Sequence, residues 1–442
     1  MRNLTRITAT VLALALATVA RAETIDASAT TFLYAGQQTR GGPVNQPPQL
    51  ATVVPLFEIL SVSASGIRNP VSEDLDLVLN MWGSWDLADH RWDNGTNASV
   101  TGDVVTGYLK AKFLDRHLTL RLGRETISAG NAQMIQIDGG DVVLALPYFG
   151  VSGFVGSPVS QRFQSRNELV SWNPVAGTLA YGGRIYAQYP MAGFPNRGVE
   201  IGASTVWVTD GTDRPVRQDV GLDGRIALVR DLTLQGYGNY SIYDQRYVDG
   251  SLLLDWNYKK FHVNVDWRYV APDLLLSRSS ILSVFSAERR NDYGAGVFYD
   301  LSKEWLAGAA YHLVVEPGKP GQNYYGDELL GRVTWTHALT KAGAEVDWLN
   351  SFDNGYWSGR IWGRQDYGKA FAALDLYAYF FRVNINGQPN SFTGVLSAGY
   401  DIGQGWAAVL AGSAGVNPYF EQQYQLMAKL TYNQTYHVRE VR

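Results

Sequence analysis

From Val104 to Arg124 the chain alternates. Leu109, Ala111 and Phe113 share one parity, while Tyr108, Lys110 and Lys112 hold the other. After a break at Asp115 and Arg116, Leu118, Leu120 and Leu122 alternate with Thr119 and Arg121. Side chains of an extended strand point to opposite faces in turn, so a period of two predicts two strands, each with one apolar and one polar face. The short connection predicts a hairpin. The same pattern recurs along the chain. Leu75, Leu77, Leu79 and Met81 oppose Asp74, Asp76, Val78 and Asn80. Phe261, Val263, Val265, Trp267 and Tyr269 oppose His262, Asn264, Asp266 and Arg268. Val346 and Trp348 oppose Glu345 and Asp347; Leu374, Leu376, Ala378 and Phe380 oppose Asp375, Tyr377 and Tyr379; Leu426, Ala428, Leu430 and Tyr432 oppose Gln425, Met427, Lys429 and Thr431.

Connection length alternates as well. Short connections are expected near Asp115, Arg230, Lys259, Ser302, Leu339, Tyr367 and Gly403. Longer ones are expected at Asp210 to Pro215, Asp244 to Val248, Ala271 to Glu288, Glu316 to Tyr324, Ser351 to Gly355, Val383 to Asn390 and Gly415 to Phe420. A soluble sandwich has no reason for such alternation. An up-and-down membrane barrel has one, with short turns on the periplasmic side and longer loops outside. The fold expected is therefore all-β: a single antiparallel transmembrane β-barrel of about 18–22 strands. The higher number applies if Met134 to Leu146 and Gly150 to Val159 both cross the membrane.

Composition narrows this further. Arg2 and Arg6, the apolar run Ile7 to Ala20 and the small-x-small site Ala20-Arg21-Ala22 have the layout of a secretory signal peptide, cleaved near Ala22. Residues 1–22 are set aside, and residues 23–442 form one barrel with a short periplasmic tail from about 433. The chain has 46 Gly, 26 Tyr, 13 Trp and no cysteine, with no change of character that would mark a linker. Absent cysteine excludes a disulfide framework and a thiolate metal site. A formal charge of −4 gives no case for nucleic acid. Trp82, Trp85, Trp256, Tyr258, Trp305, Trp335, Trp357, Trp362, Trp406 and Tyr432 fall near strand ends, where a membrane–water boundary favours amphipathic rings.

Taken together, these features resemble a Gram-negative outer-membrane porin over nearly all of the mature chain. More locally, Leu120 to Glu125, then Gly130 and Asp138-Gly139, is similar to a glycine–arginine stretch of alginate-export-type porins. The resemblance implies an outer-membrane location and passage of a hydrophilic solute through a polar lumen. The alternatives are a barrel for polysaccharide export, working with periplasmic export partners, and a structural or adhesion barrel with a blocked lumen. No cofactor is implied.

The inward charges are the candidates for selectivity, because a channel selects by width and by charge at its narrowest point. They are Asp74, Asp76, Lys110, Lys112, Arg121, Asp266, Arg268, Glu345, Asp347, Arg360, Arg364 and Asp375, with Lys429 beside them. Tyr181, Trp362, Tyr377 and Tyr379 are candidate lumen aromatics. Two stretches are expected to narrow the lumen as loops: Gly130 to Ser160, with Asp138, Asp141 and Tyr148, and Ala271 to Arg290, with Arg278, Phe285 and Arg289. Either stretch would alternatively continue as strands. The six histidines stand in no His-Glu-x-x-His arrangement, and no Gly-x-Ser-x-Gly elbow occurs, so an enzyme is not expected.

Overall fold

The computed structural model describes residues 22–40, 49–67, 69–88, 100–130, 133–159, 178–191, 194–229, 231–271, 289–317, 322–351 and 354–437. Residues 1–21, most of the expected export segment, and the last residues 438–442 lie outside the described residues. The strands are Thr24–Arg40 (β1), Gln49–Val53 (β2), Pro55–Ser65 (β3), Asp74–Asp86 (β4), Val100–Phe113 (β5), Leu118–Ala129 (β6), Gln133–Ala145 (β7), Phe149–Pro158 (β8), Leu179–Met191 (β9), Phe194–Thr209 (β10), Pro215–Val229 (β11) and Leu232–Ser241 (β12). They continue as Arg246–Tyr258 (β13), Phe261–Val270 (β14), Arg290–Asp300 (β15), Trp305–Pro317 (β16), Asn323–His337 (β17), Thr340–Asn350 (β18), Gly355–Tyr367 (β19), Ala370–Ile385 (β20), Gln388–Gly403 (β21), Trp406–Asn417 (β22) and Phe420–His437 (β23).

Apart from β2 and β3, each strand pairs antiparallel with the next. β2 and β3 are one run interrupted at Val54, both paired to β1. β1 also pairs with β23, from Thr24 opposite His437 to Gly36 opposite Gln425, which closes the ring at 22 strands. This is the upper end of the expected range. Closure leaves no free edge, the condition under which a sheet can stand in hydrocarbon.

The short connections fall where expected, at the end that holds both termini of the wall. At the other end the expected lengths were overestimated in places. Val383 to Asn390 shrinks to the turn Asn386-Gly387, and Gly415 to Phe420 to Pro418-Tyr419. The polar residues there bond across the ladder instead of looping out; Gln388, for instance, pairs with Ile385. The first strand begins as early as Thr24, because the polar residues Asp26 to Thr30 pair with both neighbours. Asn433 to His437, expected as a tail, belong instead to β23 and pair with Ser28 to Thr24.

The register fixes the two faces. One face carries Leu33, Leu109, Leu120, Ile185, Ile201, Leu222, Val265, Val297, Ile361, Leu374, Leu396 and Leu410, all exposed. Rings border this belt in pairs. Trp305–Trp335 (6.1 Å) and Trp406–Tyr432 (4.7 Å) lie at the short-turn end; Trp348–Trp357 (5.9 Å) and Phe380–Phe392 (5.6 Å) lie at the other. An apolar band flanked by two aromatic girdles is the lipid-facing surface of a membrane barrel. Trp82 and Trp362, expected at the boundary, sit on the opposite parity and point inward; Trp82 pairs with Ile59 and Asp103, Trp362 with Gly343 and Asp375.

A charge at the middle of the apolar band should be costly, and one in the lumen should not. Leu376→Arg is expected to lower unfolding stability in lipid vesicles by about 2–4 kcal/mol, while Ser397→Arg, on the inward parity of β21, stays within about 0.5 kcal/mol. Denaturant titration of the vesicle-inserted barrel reads both. The turn between β10 and β11 adds a pH test. Asp210 Oδ1 accepts from Thr212 Oγ1 (2.8 Å), Thr212 N (2.8 Å) and Arg214 N (3.0 Å), which holds its carboxyl below the usual carboxylate range. A depressed pKa means the turn's contribution is complete above the ordinary carboxylate value and is lost as pH falls through the lowered one. NMR titration of the Thr212 and Arg214 amides should show them losing their bonded shifts only in that acid range.

Candidate functional site

The inward face is set by an arm of sheet that leaves the wall. Pairing between β5 and β6 ends at Gly107 opposite Arg124, and pairing between β7 and β8 ends at Ile137 opposite Pro158. Beyond those points the upper parts of β6 and β7 are laddered only to each other. The departure is marked by Gly123, paired with Gly139, which is paired in turn with Gly156. Gly123 has φ of 137°, and a side chain there would collide with the carbonyl of Gly107. Only glycine satisfies both demands.

The arm ends at Gly130, whose φ is 73°. A side chain at Gly130 would strike Asp223 Oδ1 on β11 and Arg184 Nε on β9. β11 is the fourth strand on from β7, about 19 Å along the wall at the usual strand spacing; Gly123 to Gly130 spans about 23 Å at the usual rise. The arm is therefore long enough to cross that width, and it does so inside the ring. Ile127 and Ile137 of the arm pack with Phe154, Ala180, Val206 and Val208 of the wall, all nearly inaccessible. Strands separated by β8 and β9 can meet this way only on the concave side. The arm thus narrows the lumen and covers the inner face of β9 to β12, where Ser204, Asp219, Asp223 and Asn239 are buried.

The seam beneath the arm is ionic. Arg184 Nη2 donates to Glu200 Oε1 (2.7 Å) and Nε to Asp223 Oδ1 (3.2 Å), with a further close contact from Nη2 to Asp223 Oδ2. At the root, Arg121 makes a two-pronged bond to Asp141 (2.8 and 2.6 Å) and meets Glu125 at 3.1 Å. These charges are shielded from solvent, with Asp223 and Asp141 at 3% and 2% side-chain exposure, so each cation stabilises the buried carboxylates beside it.

The twelve lumen candidates all occupy the inward parity, but most are already engaged. Lys112 bonds Asp74 (2.9 Å), Lys110 meets Asp76 (3.5 Å), and Arg360 grips Asp375 with two bonds (2.9 and 2.6 Å). Arg364 bonds Asp366 (2.7 Å), and Asp347 accepts from the Tyr356 hydroxyl (3.0 Å). Asp266, Arg268 and Glu345 share the β13 to β18 sector, which carries Asp249, Asp255, Asp266, Asp292, Glu328, Glu345 and Asp347 against Arg268, Arg290, Arg332 and Lys341. Carboxylates outnumber cations there.

Most of the expected constriction loop Gly130 to Ser160 is paired strand. Asp138 and Asp141 lie in β7 and not in a loop; the glycines that looked like loop signals let the strands of the arm's root lie close together. Asp141 points inward to Arg121. Asp138 sits on the outer face, paired with Arg124 (2.7 Å). Tyr148 lies in the short turn after β7, stacked on Tyr189 at 6.3 Å, far from any narrowing. Arg289 is exposed just before β15; Arg278 and Phe285 lie outside the described residues. Tyr181 is on the lipid face, stacked on Trp207 at 6.1 Å, whereas Trp362, Tyr377 and Tyr379 are inward as expected. The expectation missed Glu125, Arg184 and Asp223, and also Tyr356, Phe371 and Phe381, which share the inward parity of β19 and β20. Among the described residues no group of His, Asp or Glu is arranged to hold a metal ion.

Closed wall, outward apolar belt and charged interior define the class: a single transmembrane β-barrel. Within that class, no family model and no curated protein matches the chain. The ferric enterobactin receptor PfeA of Pseudomonas aeruginosa, in a mutant form, is similar at 9% identity with a TM-score of 0.54, over 93% of this chain and 80% of that one. The outer membrane protein OpdK of the same organism overlays at 10% identity and a TM-score of 0.44, over 93% and 99%. OccAB4 of Acinetobacter baumannii overlays at 9% and 0.44, over 94% and 99%. At these identities the likeness is one of fold.

Arg184→Ala leaves Asp223 and Glu200 facing each other beneath the arm. It is expected to cost about 3 kcal/mol in denaturant unfolding, and to expose the Gly130 tip to protease in the otherwise folded barrel. A cost below 1 kcal/mol with the tip still protected would mean that the ionic seam does not hold the arm.

Proposed function

We propose that this chain is an outer-membrane channel that passes hydrophilic solutes, narrowed on one side by the β6–β7 arm. The observation that carries the reading is the two-faced wall: a greasy outer belt around an interior whose charges are mostly matched in neighbouring pairs. Paired charges keep the passage wet and limit strong preference for either sign of ion. In this reading, residues 1–22 direct export and are removed, and outer-membrane lipid surrounds the belt. The excess of carboxylates on β13 to β18 gives a modest preference for cations. The barrel has no catalytic role in this reading.

A second reading is favoured by one observation. The arm covers the inner face of several strands, which supports a structural barrel with an occluded lumen. Reconstitution of the mature chain in a planar bilayer separates the two. Discrete conductance steps are expected, with a small positive selectivity for potassium over chloride in a salt gradient. Asp266→Lys should move the reversal potential toward chloride, because it replaces an inward carboxylate in the acidic sector by a cation. Silence both in the native chain and after deletion of 125–136 would leave the occluded barrel standing.

A further inference from the structure

On β19 and β20 the inward face holds a series of rings, interrupted only at the Arg364–Ala373 pair. Reading along β20 away from the short turns, Phe371 is followed by Trp362 beside Asp375, then Tyr377 beside Arg360, then Tyr379, then Phe381 beside Tyr356. From Phe371 to Phe381 the series extends about 33 Å at the usual strand rise, roughly the thickness of the membrane's hydrocarbon. Tyr379 lies 5.5 Å from Tyr356 and 6.5 Å from Phe381, centre to centre. The Trp362 indole lies against the backbone of Gly343, where a side chain would meet its Cε2 at 2.6 Å. Rings on the lipid face need no ligand to explain them. These rings face the lumen, where exposing them to water is unfavourable unless something covers them.

Polar groups alternate with the rings and are held rigid. Arg360 is fixed by Asp375 and lies over the Tyr377 ring (5.1 Å), and the Tyr377 hydroxyl donates to the same carboxylate (2.9 Å). Arg364 is fixed by Asp366 and lies over Phe371 (3.9 Å). Around Trp362, Lys341, Arg360, Arg364, Asp375 and Ser397 border a recess of about 280 Å³. A wholly apolar solute would strip water from these ion pairs without replacing it. A dense polyanion would find Arg360 and Arg364 already neutralised. The solute that fits both features has flat apolar faces rimmed by hydroxyls, and repeats them along a chain. Its faces lie on rings, and its rim exchanges hydrogen bonds with Asp375, Ser397 and the tyrosine hydroxyls.

We propose that the β19–β20 wall is a binding track for a linear oligosaccharide of pyranose units, with Trp362 and its recess as the principal subsite. This rests on the channel reading and names its solute class. The test records currents through the mature barrel with maltohexaose, cellohexaose and xylohexaose added in turn, and a polyethylene glycol of similar hydrodynamic size as inert control. At least one hexaose is expected to interrupt the current saturably, and the polyethylene glycol is not. Trp362→Ala and Tyr377→Ala should each weaken the interruption about tenfold, or ~1.4 kcal/mol, and Trp362→Phe should restore most of it. Hexaoses that all behave like the polyethylene glycol, or an interruption unchanged in both alanine variants, would overturn the track. If the barrel carries no current, the channel reading fails by itself. The track is then judged by calorimetric titration of the folded barrel with the same hexaoses: saturable heat that Trp362→Ala abolishes upholds it, and no heat with any of them overturns it.

Discussion

A peptide group in hydrocarbon has no water to bond, so every N–H and C=O that crosses the belt must find a partner within the protein. The pairing of β1 with β23 makes this possible, because it removes the two edges an open sheet would present. Closure has a second effect. With side chains alternating at a period of two, the register of one strand dictates that of all the others round the ring. A slip of one residue on β20 would carry Asp375 and Tyr377 into lipid and Leu374 and Leu376 into the lumen. Most register irregularities lie toward strand ends, as between Val208 and Thr209 or Asp401 and Gly403; the one at Asn80 and Met81 falls mid-strand, where Val105 is the extra residue of β5 and Met81 keeps the outward parity of Leu79.

Most of this was legible in the sequence, since parity survives translation into structure. The alternation of Leu75 to Met81 with Asp74 to Asn80 matches the two parities of β4, and the twelve expected lumen charges share the parity opposite the apolar belt. Where parity was not applied, the expectation failed. Asp138 and Asp141 are three residues apart, an odd number, and so fall on opposite faces. Tyr181 shares parity with Ile185, which is in lipid, and could have been assigned from that alone. The inward bend of the β6–β7 arm left only a trace in the sequence. That trace is a change of phase at Gly123, from apolar Leu118, Leu120 and Leu122 to apolar Ile127 and Ala129, and the contacts that draw the tip to Arg184 and Asp223 join residues more than fifty positions apart. Glycine richness marked the right region for a narrowing but pointed to a loop, where the chain in fact uses paired strand.

The arm and the aromatic series stand on different parts of the ring. The arm covers β9 to β12, and the rings lie on β19 and β20, nearly half the circumference of the 22-strand wall away. In the channel reading, the passage between them has one buried, ionically fastened side and one side of rings and fixed polar groups. The acidic sector of β13 to β18 lies along the shorter way round. Width and chemistry are thus set by different elements, and each can vary without moving the other.

The bond from Thr435 to Asp26 joins residues 409 positions apart. No part of the ring can be sealed until nearly the whole chain has been delivered, so the cylinder cannot form while synthesis is under way. Pairing at such separation is slow, and until it occurs the first and last strands each carry a row of unsatisfied amides. The unsealed chain would be drawn to any strand it met, its own kind included. Keeping both margins away from other strands until they meet is therefore a condition of reaching the closed form.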